Sequence, residues 1–308
     1  MFDLIIIGGG PAGISAGVYA SRKQLKTLLI TKEWGGQSTV SPDIQNWIGT
    51  IHISGNELAH NLEAHLKAYA GEFVTISAGR LATTVTKNDD GTFTVTLDTG
   101  ETYLSKAIFV GTGSVRRKLT VPGADIFDQK GLTYCASCDG PMFSGQDVVV
   151  IGGGNAGFET AAQLLAYTKS VTLLHHAHAF DKADAVTVKT VLAHPNMKGI
   201  TSAKTTEIIG DTFVSGVKYT DADDVEHILS ATGVFVEIGL VPNTDAVANL
   251  VALDPYKRII IDPWTQQTNV PGVWAAGDCT NIKYHQNNIS AGDAVRALED
   301  IYVHLKTK

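Results

Sequence analysis

Leu4-Ile5-Ile6-Ile7-Gly8-Gly9-Gly10-Pro11-Ala12-Gly13 is the stretch on which the fold turns. The apolar run has the character of a buried strand, and residues 14–22 form a helix-compatible run, so the glycines fall on a strand-to-helix turn. Gly8, Gly10 and Gly13 fill a G-x-G-x-x-G pattern, with Pro11 and Ala12 inside it. Alone the pattern is weak. At this turn, glycines permit a tight bend and a close backbone approach to a pyrophosphate, which then meets the positive end of the helix. A second strand, residues 26–31, ends near Glu33, about 20 residues after the last glycine, where an acidic side chain can reach a ribose hydroxyl. Spacing alone leaves Glu33 either in that role or as a solvated loop charge.

The same pattern returns later in the chain. Residues 147–151 read as a strand, Gly152, Gly154 and Gly157 follow with Asn155 and Ala156 between them, a helix is expected from Phe158, and residues 170–174 form a further strand. This is an internal duplication of a nucleotide-binding unit. Turn signals at residues 88–91 and 98–100 follow the first copy, and others at 210–211 and 221–224 follow the second, so each copy is expected to carry a small antiparallel insertion. The expected fold is α/β, with two Rossmann-like three-layer nucleotide-binding domains, the second inserted into the first. Residues 1–114 and 245–308 form one domain and 115–244 the other, joined by two crossing segments able to act as a hinge.

Composition narrows the function. With 308 residues, 44% hydrophobic and 18% charged, the chain is globular and long enough for two cores. No apolar stretch approaches the roughly 20 residues of a membrane span, and the N-terminus reads as a strand rather than a leader, so a cytoplasmic location is expected. A net charge of −7 argues against nucleic acid as a partner. Three cysteines are too few for a secreted disulfide framework, and two of them stand as Cys135-Ala136-Ser137-Cys138. Two intervening residues let a turn bring the sulfurs within bonding range, and a thiolate there can attack a disulfide. Half of a zinc site is the competing reading, but no second Cys-x-x-Cys exists in the chain.

From end to end the chain resembles the low-molecular-weight thioredoxin reductases and the related reductase module of alkyl hydroperoxide reductase. The motifs that carry the resemblance are residues 8–13, Gly35-Gly36-Gln37, Asn46-Trp47, Gly111-Thr112-Gly113, Gly277-Asp278, Gln286-Asn287 and Cys135-Ala136-Ser137-Cys138-Asp139-Gly140. The resemblance implies FAD at the first glycine turn, with Gly36, Gln37, Asn46, Thr112, Gly113, Gly277, Gln286 and Asn287 around it. It implies that Asp278 binds the ribityl chain or phosphates, and that a helix beginning near Ser290 points its N-terminus at the flavin ring. It further implies that Cys138 lies nearer the flavin, that Cys135 attacks the disulfide of a thioredoxin-like protein, that Asp139 is a general acid and base, and that the protein is a homodimer. Cys279 reads as a small packing residue near the flavin.

The second copy departs from the family. NADPH-dependent relatives place a histidine, two arginines and a later arginine after the corresponding strand, whereas this chain has His175, His176 and Ala177, with Asp181 at the later position. Hydrogen bonds to charged groups are each worth roughly 1.5–3 kcal/mol, so NADPH is disfavoured, and this strand end is expected to carry no fixed positive charge. An acid for the ribose of NADH is not evident either. Gly152, Gly154, Asn155, Ala156 and Gly157 remain cofactor-binding candidates, for a second FAD or a weakly bound pyridine nucleotide. The missing arginines with a preserved glycine turn make the chain resemble the NADPH-independent, ferredoxin- or second-flavin-type members of the family; ferredoxin is a candidate donor, and Arg116-Arg117-Lys118 is the one compact basic run, either steering it or forming a solvated hinge. His175, His176 and His178 could bind metal, although successive residues at a strand end point to opposite faces, and no metal site is assigned. Two other functions fit the same residues: a dithiol oxidase using oxygen, and a flavin-loaded electron carrier, for which Asp139 has little use.

Overall fold

The structure, a computed structural model, describes residues 1–41 and 43–306. Its contacts divide the chain into two units, Met1–Val115 with Val241–Lys308, and Arg116–Leu240. The return to the first unit comes earlier than residue 245 because residues 241–244 are already tied to it. The Asn243 amide N–H donates to Gly113 O at 3.0 Å, its side-chain amide donates to Thr112 O at 3.0 Å, and the Thr112 hydroxyl donates to Asn243 O.

In the first unit the strands Val74–Ala78, Thr27–Thr31, Phe2–Ile7 and Thr102–Val110 run parallel in that order, and Val273–Ala275 lies alongside Thr102–Val110. Leu4 and Ile6 face one core, formed with the helices Pro11–Arg22, Gly55–Ala70 and Asn287–Lys306. Ile5 and Ile7 face another, closed by Val85, Phe93, Val95, Val247 and Ile259. A strand buried on both faces needs the continuous apolar run seen at residues 4–7.

The expected antiparallel insertion of this unit is not a separate piece. Thr102–Val110 pairs antiparallel with Phe93–Leu97 along its first half and parallel with Phe2–Ile7 along its second, so Phe93–Leu97 and Ala82–Lys87 extend the main sheet. Burial along this strand alternates at first and is continuous over its last four residues, as that change of role requires.

The second unit repeats the plan. Met197–Ile200, Ser170–Leu174, Asp147–Ile151, Gly233–Val236 and Leu132–Thr133 form a parallel sheet in that order. The helix Asn155–Leu165 packs on one face through Phe158, Ala161 and Leu164. Here the insertion is a separate antiparallel sheet, Lys204–Gly210, Val214–Thr220 and Glu226–Ser230, packed on the other face through Ile208, Val214 and Val217.

Three helices begin earlier than the sequence suggested, at Pro11, Asn155 and Asn287 rather than Ile14, Phe158 and Ser290. Each glycine loop supplies the first helical turn itself. Pro11 suits that position because its missing N–H is one the helix leaves unbonded. In both sheets the order reverses beside the first strand of the copy, the point at which open α/β sheets bind ligands outside the carboxyl ends of their strands. No helix among the described residues is long and apolar enough to cross a membrane.

Candidate functional site

The first glycine turn is built by close backbone approach. Gly8 has φ +123°, and a Cβ on it would lie 2.2 Å from Gly111 O, while one on Gly13 would lie 1.9 Å from Gly8 O. Neither position tolerates a side chain. Gly10, by contrast, has open space where a Cβ would point, its nearest neighbour being Gly35 O at 3.9 Å. A Cβ on Gly36 would lie 3.6 Å from Gly10 Cα, and one on Gly277 would lie 3.5 Å from Ala12 Cβ. Residues 8–13, Gly36, Gly111 and Gly277 therefore converge on one helix N-terminus.

A second knot of side chains joins three motifs of this unit. Asn46 donates to Gln286 Oε1 at 3.0 Å, Asn288 donates to Asn46 O at 2.7 Å, and Ser38 donates to Asn287 Oδ1 at 3.1 Å. Ser38 belongs to the short helix Gly36–Val40, which also holds Gln37. Asp278 is partly buried, and His285 Nδ1 lies 3.3 Å from its Oδ1. Sequence reading missed His285, although it immediately precedes Gln286-Asn287. Glu33 is exposed, and its backbone carbonyl accepts from the Thr31 hydroxyl at 2.6 Å. The open backbone cradle, with Asp278 beside it, fits a dinucleotide such as FAD, whose phosphates suit exposed N–H groups at a helix N-terminus. Cys279 lies beneath, fully buried, with Sγ 3.5 Å from Ala276 O, and burial pushes its thiol up to about 11. Such a thiol is a packing group rather than a nucleophile.

In the second unit Cys135 and Cys138 form a disulfide with Cα atoms 5.3 Å apart. Cys135 caps the four-residue helix Ala136–Asp139, and its carbonyl accepts from the Cys138 and Asp139 amides at 3.2 and 3.0 Å. Both sulfur-bearing residues are partly exposed, while Asp139 is buried and accepts a hydrogen bond from the Thr133 hydroxyl. Burial raises the Asp139 carboxyl above the usual carboxylate range; the Thr133 bond and the charge of Arg116 oppose the rise. A carboxyl that holds its proton more tightly than usual, one residue from a thiol pair, is placed to donate that proton. The short helix packs on Asn155–Leu165 through Ala136, and Ser137 donates to Gln163 Oε1 at 3.2 Å.

The second glycine turn copies the first. Gly152 has φ +123° and would place a Cβ 2.2 Å from Glu237 O, and Gly157 would place one 1.8 Å from Gly152 O. Gly154 is open, and Ala156 is exposed beside it. Asn155 accepts from the Asp184 amide at 2.7 Å, which commits its side-chain oxygen to the next helix.

His175 is buried against the turn. Its Nδ1 accepts from the Gly153 amide at 3.2 Å, and its ring stacks on Phe180. Burial lowers its pKa, with the nearby His176 adding to that effect, so it stays neutral to lower pH than an ordinary histidine. His176 is exposed, and His178 Nδ1 lies 2.7 Å from Ser202 Oγ. The expectation of no fixed positive charge at this strand end is corrected: Lys204 lines one cavity with His176, Gly152, Leu174 and Ile238. It was missed because it comes from the separate antiparallel sheet, 28 residues after His176 (204 − 176). Among the described residues, no group of three or more His, Cys, Asp or Glu side chains is placed to hold a metal ion.

Two duplicated dinucleotide folds, one carrying a redox-ready disulfide backed by a buried acid, make the architecture of a disulfide oxidoreductase. The chain belongs to the pyridine nucleotide-disulphide oxidoreductase family, which it matches over residues 2–292. It is 41% identical over 297 residues to an alkyl hydroperoxide reductase subunit of Staphylococcus epidermidis, covering 96% of this chain and 57% of that protein. A protein of Ferdinandcohnia aciditolerans named NADH dehydrogenase is 40% identical over 297 residues, covering 96% of this chain and 56% of that protein. The chain thus spans a little over half the length of these curated relatives. In structure it is similar to the thioredoxin reductases of Streptococcus pyogenes (TM-score 0.89, 31% identity, 100% and 99% of the two chains) and Giardia duodenalis (TM-score 0.92, 30% identity, 99% and 98%).

Proposed function

We propose that the chain is an FAD-dependent reductase of thioredoxin-like protein disulfides. The carrying observation is the partly exposed Cys135–Cys138 disulfide with buried Asp139 directly behind it. FAD held at the first glycine turn, once reduced by the electron donor, would supply two electrons to that disulfide. The S–S bond breaks, Cys138 takes the electron pair, and the pair leaves as a dithiol once two protons have been taken up. Cys135, at the exposed start of its helix, attacks the partner's disulfide as a thiolate, and one partner sulfur departs with a proton from Asp139. Cys138 then attacks the Cys135 sulfur of the mixed disulfide, expelling the second partner thiol and restoring the Cys135–Cys138 bond. Electrons balance: two enter and two leave with the reduced partner.

For the donor, the reading is NADH rather than NADPH. The second turn keeps the geometry of the first, the arginine pair is replaced by His176 and Ala177, and one 40%-identical relative is named NADH dehydrogenase. A lysine such as the exposed Lys204 is a weaker phosphate ligand than a bidentate arginine pair. The same loss of arginines favours a second reading, in which a second flavin sits at this turn and ferredoxin supplies the electrons. Anaerobic mixing separates them. Rapid bleaching of the flavin by NADH, with slow bleaching by NADPH, supports the first; no bleaching by either, with two FAD per chain, supports the second.

A further inference from the structure

At the carboxyl end of Gly233–Val236, where the order of the second sheet reverses, stands Glu237. Its carbonyl closes the Gly152 turn, and its carboxylate accepts from the Thr160 hydroxyl at 3.0 Å, on the helix that follows that turn. The first copy has Gly111 here, with no side chain. We propose that Glu237 belongs to the second dinucleotide site and takes up a proton when a pyrophosphate-bearing ligand binds there.

The physical reason is the meeting of two like charges. A pyrophosphate held at Gly152, Gly154 and Gly157 brings anionic oxygens to the turn that the Glu237 carbonyl closes, and the carboxylate of the same residue is tied to the helix that follows that turn; like charges this close favour the protonated form of the weaker acid. Desolvation already pushes Glu237 up to about 7. The charge of Arg116 and the Thr160 bond pull it down, and Glu159, on the same helix as Thr160, pushes it up. His175, His176 and Lys204 are the other titratable side chains by the turn; burial lowers the His175 pKa, so His175 does not compete for a proton in the same range. A group with these neighbours is ionised in part at neutral pH in the empty site and protonated in the filled one. Occupancy then strengthens as pH falls and weakens as pH rises above about 7.

The inference rests on reading the second turn as a dinucleotide site. The FAD-loaded protein is titrated calorimetrically with ADP-ribose, which carries the pyrophosphate but no nicotinamide, from pH 6 to pH 9 in buffers of different ionisation enthalpy. Wild type should take up a proton between pH 7 and 8, and its affinity should fall on the alkaline side toward the limit of about tenfold per pH unit for one linked proton. Glu237→Gln should bind with little pH dependence and no uptake, and His175→Asn should keep the uptake. Thr160→Val should move the midpoint to higher pH, a readout that survives if Glu237→Gln fails to fold. Binding without uptake in wild type, or uptake unchanged in Glu237→Gln, overturns the role of Glu237 alone. No binding at any pH removes the dinucleotide reading of this site, and the proposal with it.

Discussion

The two glycine turns of this chain are nearly the same object in backbone and different objects in side chains. Gly8 and Gly152 share a φ of +123°, and each accommodates a carbonyl 2.2 Å from where a Cβ would stand. Around the first turn stand Gly111, Thr112 and Asp278, the last with His285; around the second stand Glu237, His175, His176 and Lys204. The shared backbone geometry is compatible with a dinucleotide at each turn, and the differing side chains are what would discriminate between ligands. Duplication has therefore conserved a shape while leaving the chemistry of each copy free to differ, and the thiol pair belongs to the second copy.

The largest expected effect tests that division of labour. Cys138→Ser should lower reduction of a thioredoxin-like disulfide by about 10³-fold or more, the class of loss seen when a covalent nucleophile is removed. Bound flavin and NADH-dependent reduction of ferricyanide should survive. If both activities disappear together while the protein stays folded and FAD-loaded, the two copies do not carry separable chemistry.

Next comes the swap of specificity. His176→Arg with Ala177→Arg restores the missing pair, and two charged hydrogen bonds at the low end of roughly 1.5 kcal/mol each favour NADPH over NADH by about 10²-fold. The check is the ratio of kcat/KM values for the two donors. An unchanged ratio means that the ribose end of the ligand does not lie at this strand end.

A smaller effect separates the turns themselves. Gly157→Ala and Gly13→Ala each force a Cβ to within 2 Å of a carbonyl, at 1.8 and 1.9 Å, and strain of this kind costs roughly 1–3 kcal/mol or more. Gly13→Ala should lose FAD, read as flavin per chain. Gly157→Ala should keep it and lose nucleotide-dependent reduction. Equal flavin loss in both variants breaks the assignment of one ligand to each turn.

Much of this was legible in the sequence, because a parallel strand buried on both faces has to be a short apolar run and a dinucleotide turn has to be glycine at fixed spacing. Residues 4–13 and 147–157 meet both demands. The helix Gly55–Ala70 was not read from the sequence, although Ser54, which accepts from the Glu57 amide at 3.2 Å, marks its start with a Ser-x-x-Glu pattern. What stayed hidden depends on residues distant in sequence. Lys204 lines the same cavity as His176 because the separate antiparallel sheet to which it belongs packs on that face. Thr160 and Glu237 are 77 positions apart, and no periodicity links them. The continuity of the first insertion with the main sheet was hidden as well, because one strand, Thr102–Val110, serves both pairings.

The smallest expected effect concerns Asp139, where function and stability pull in opposite directions. Its carboxyl is raised by burial, so between the ordinary carboxylate value and the raised one the folded protein holds a proton that the unfolded chain has released. Folding stability therefore falls as pH rises through that window, and the cost persists above it. Asp139→Asn removes the charge and the cost while keeping the shape, against the loss of part of the Thr133 bond. The variant should be slightly more stable than wild type at pH 7, by less than about 1 kcal/mol. The advantage should vanish below about pH 4, where an unperturbed carboxyl is itself protonated. Denaturant midpoints at the two pH values measure this, and a difference independent of pH would mean that the carboxyl is not strained by its burial. The same variant should be poor at expelling the partner's thiol, because an amide has no proton to give. A buried acid held at some expense of stability, beside a partly exposed disulfide, supports the proposed role in proton delivery over a role in holding the fold together.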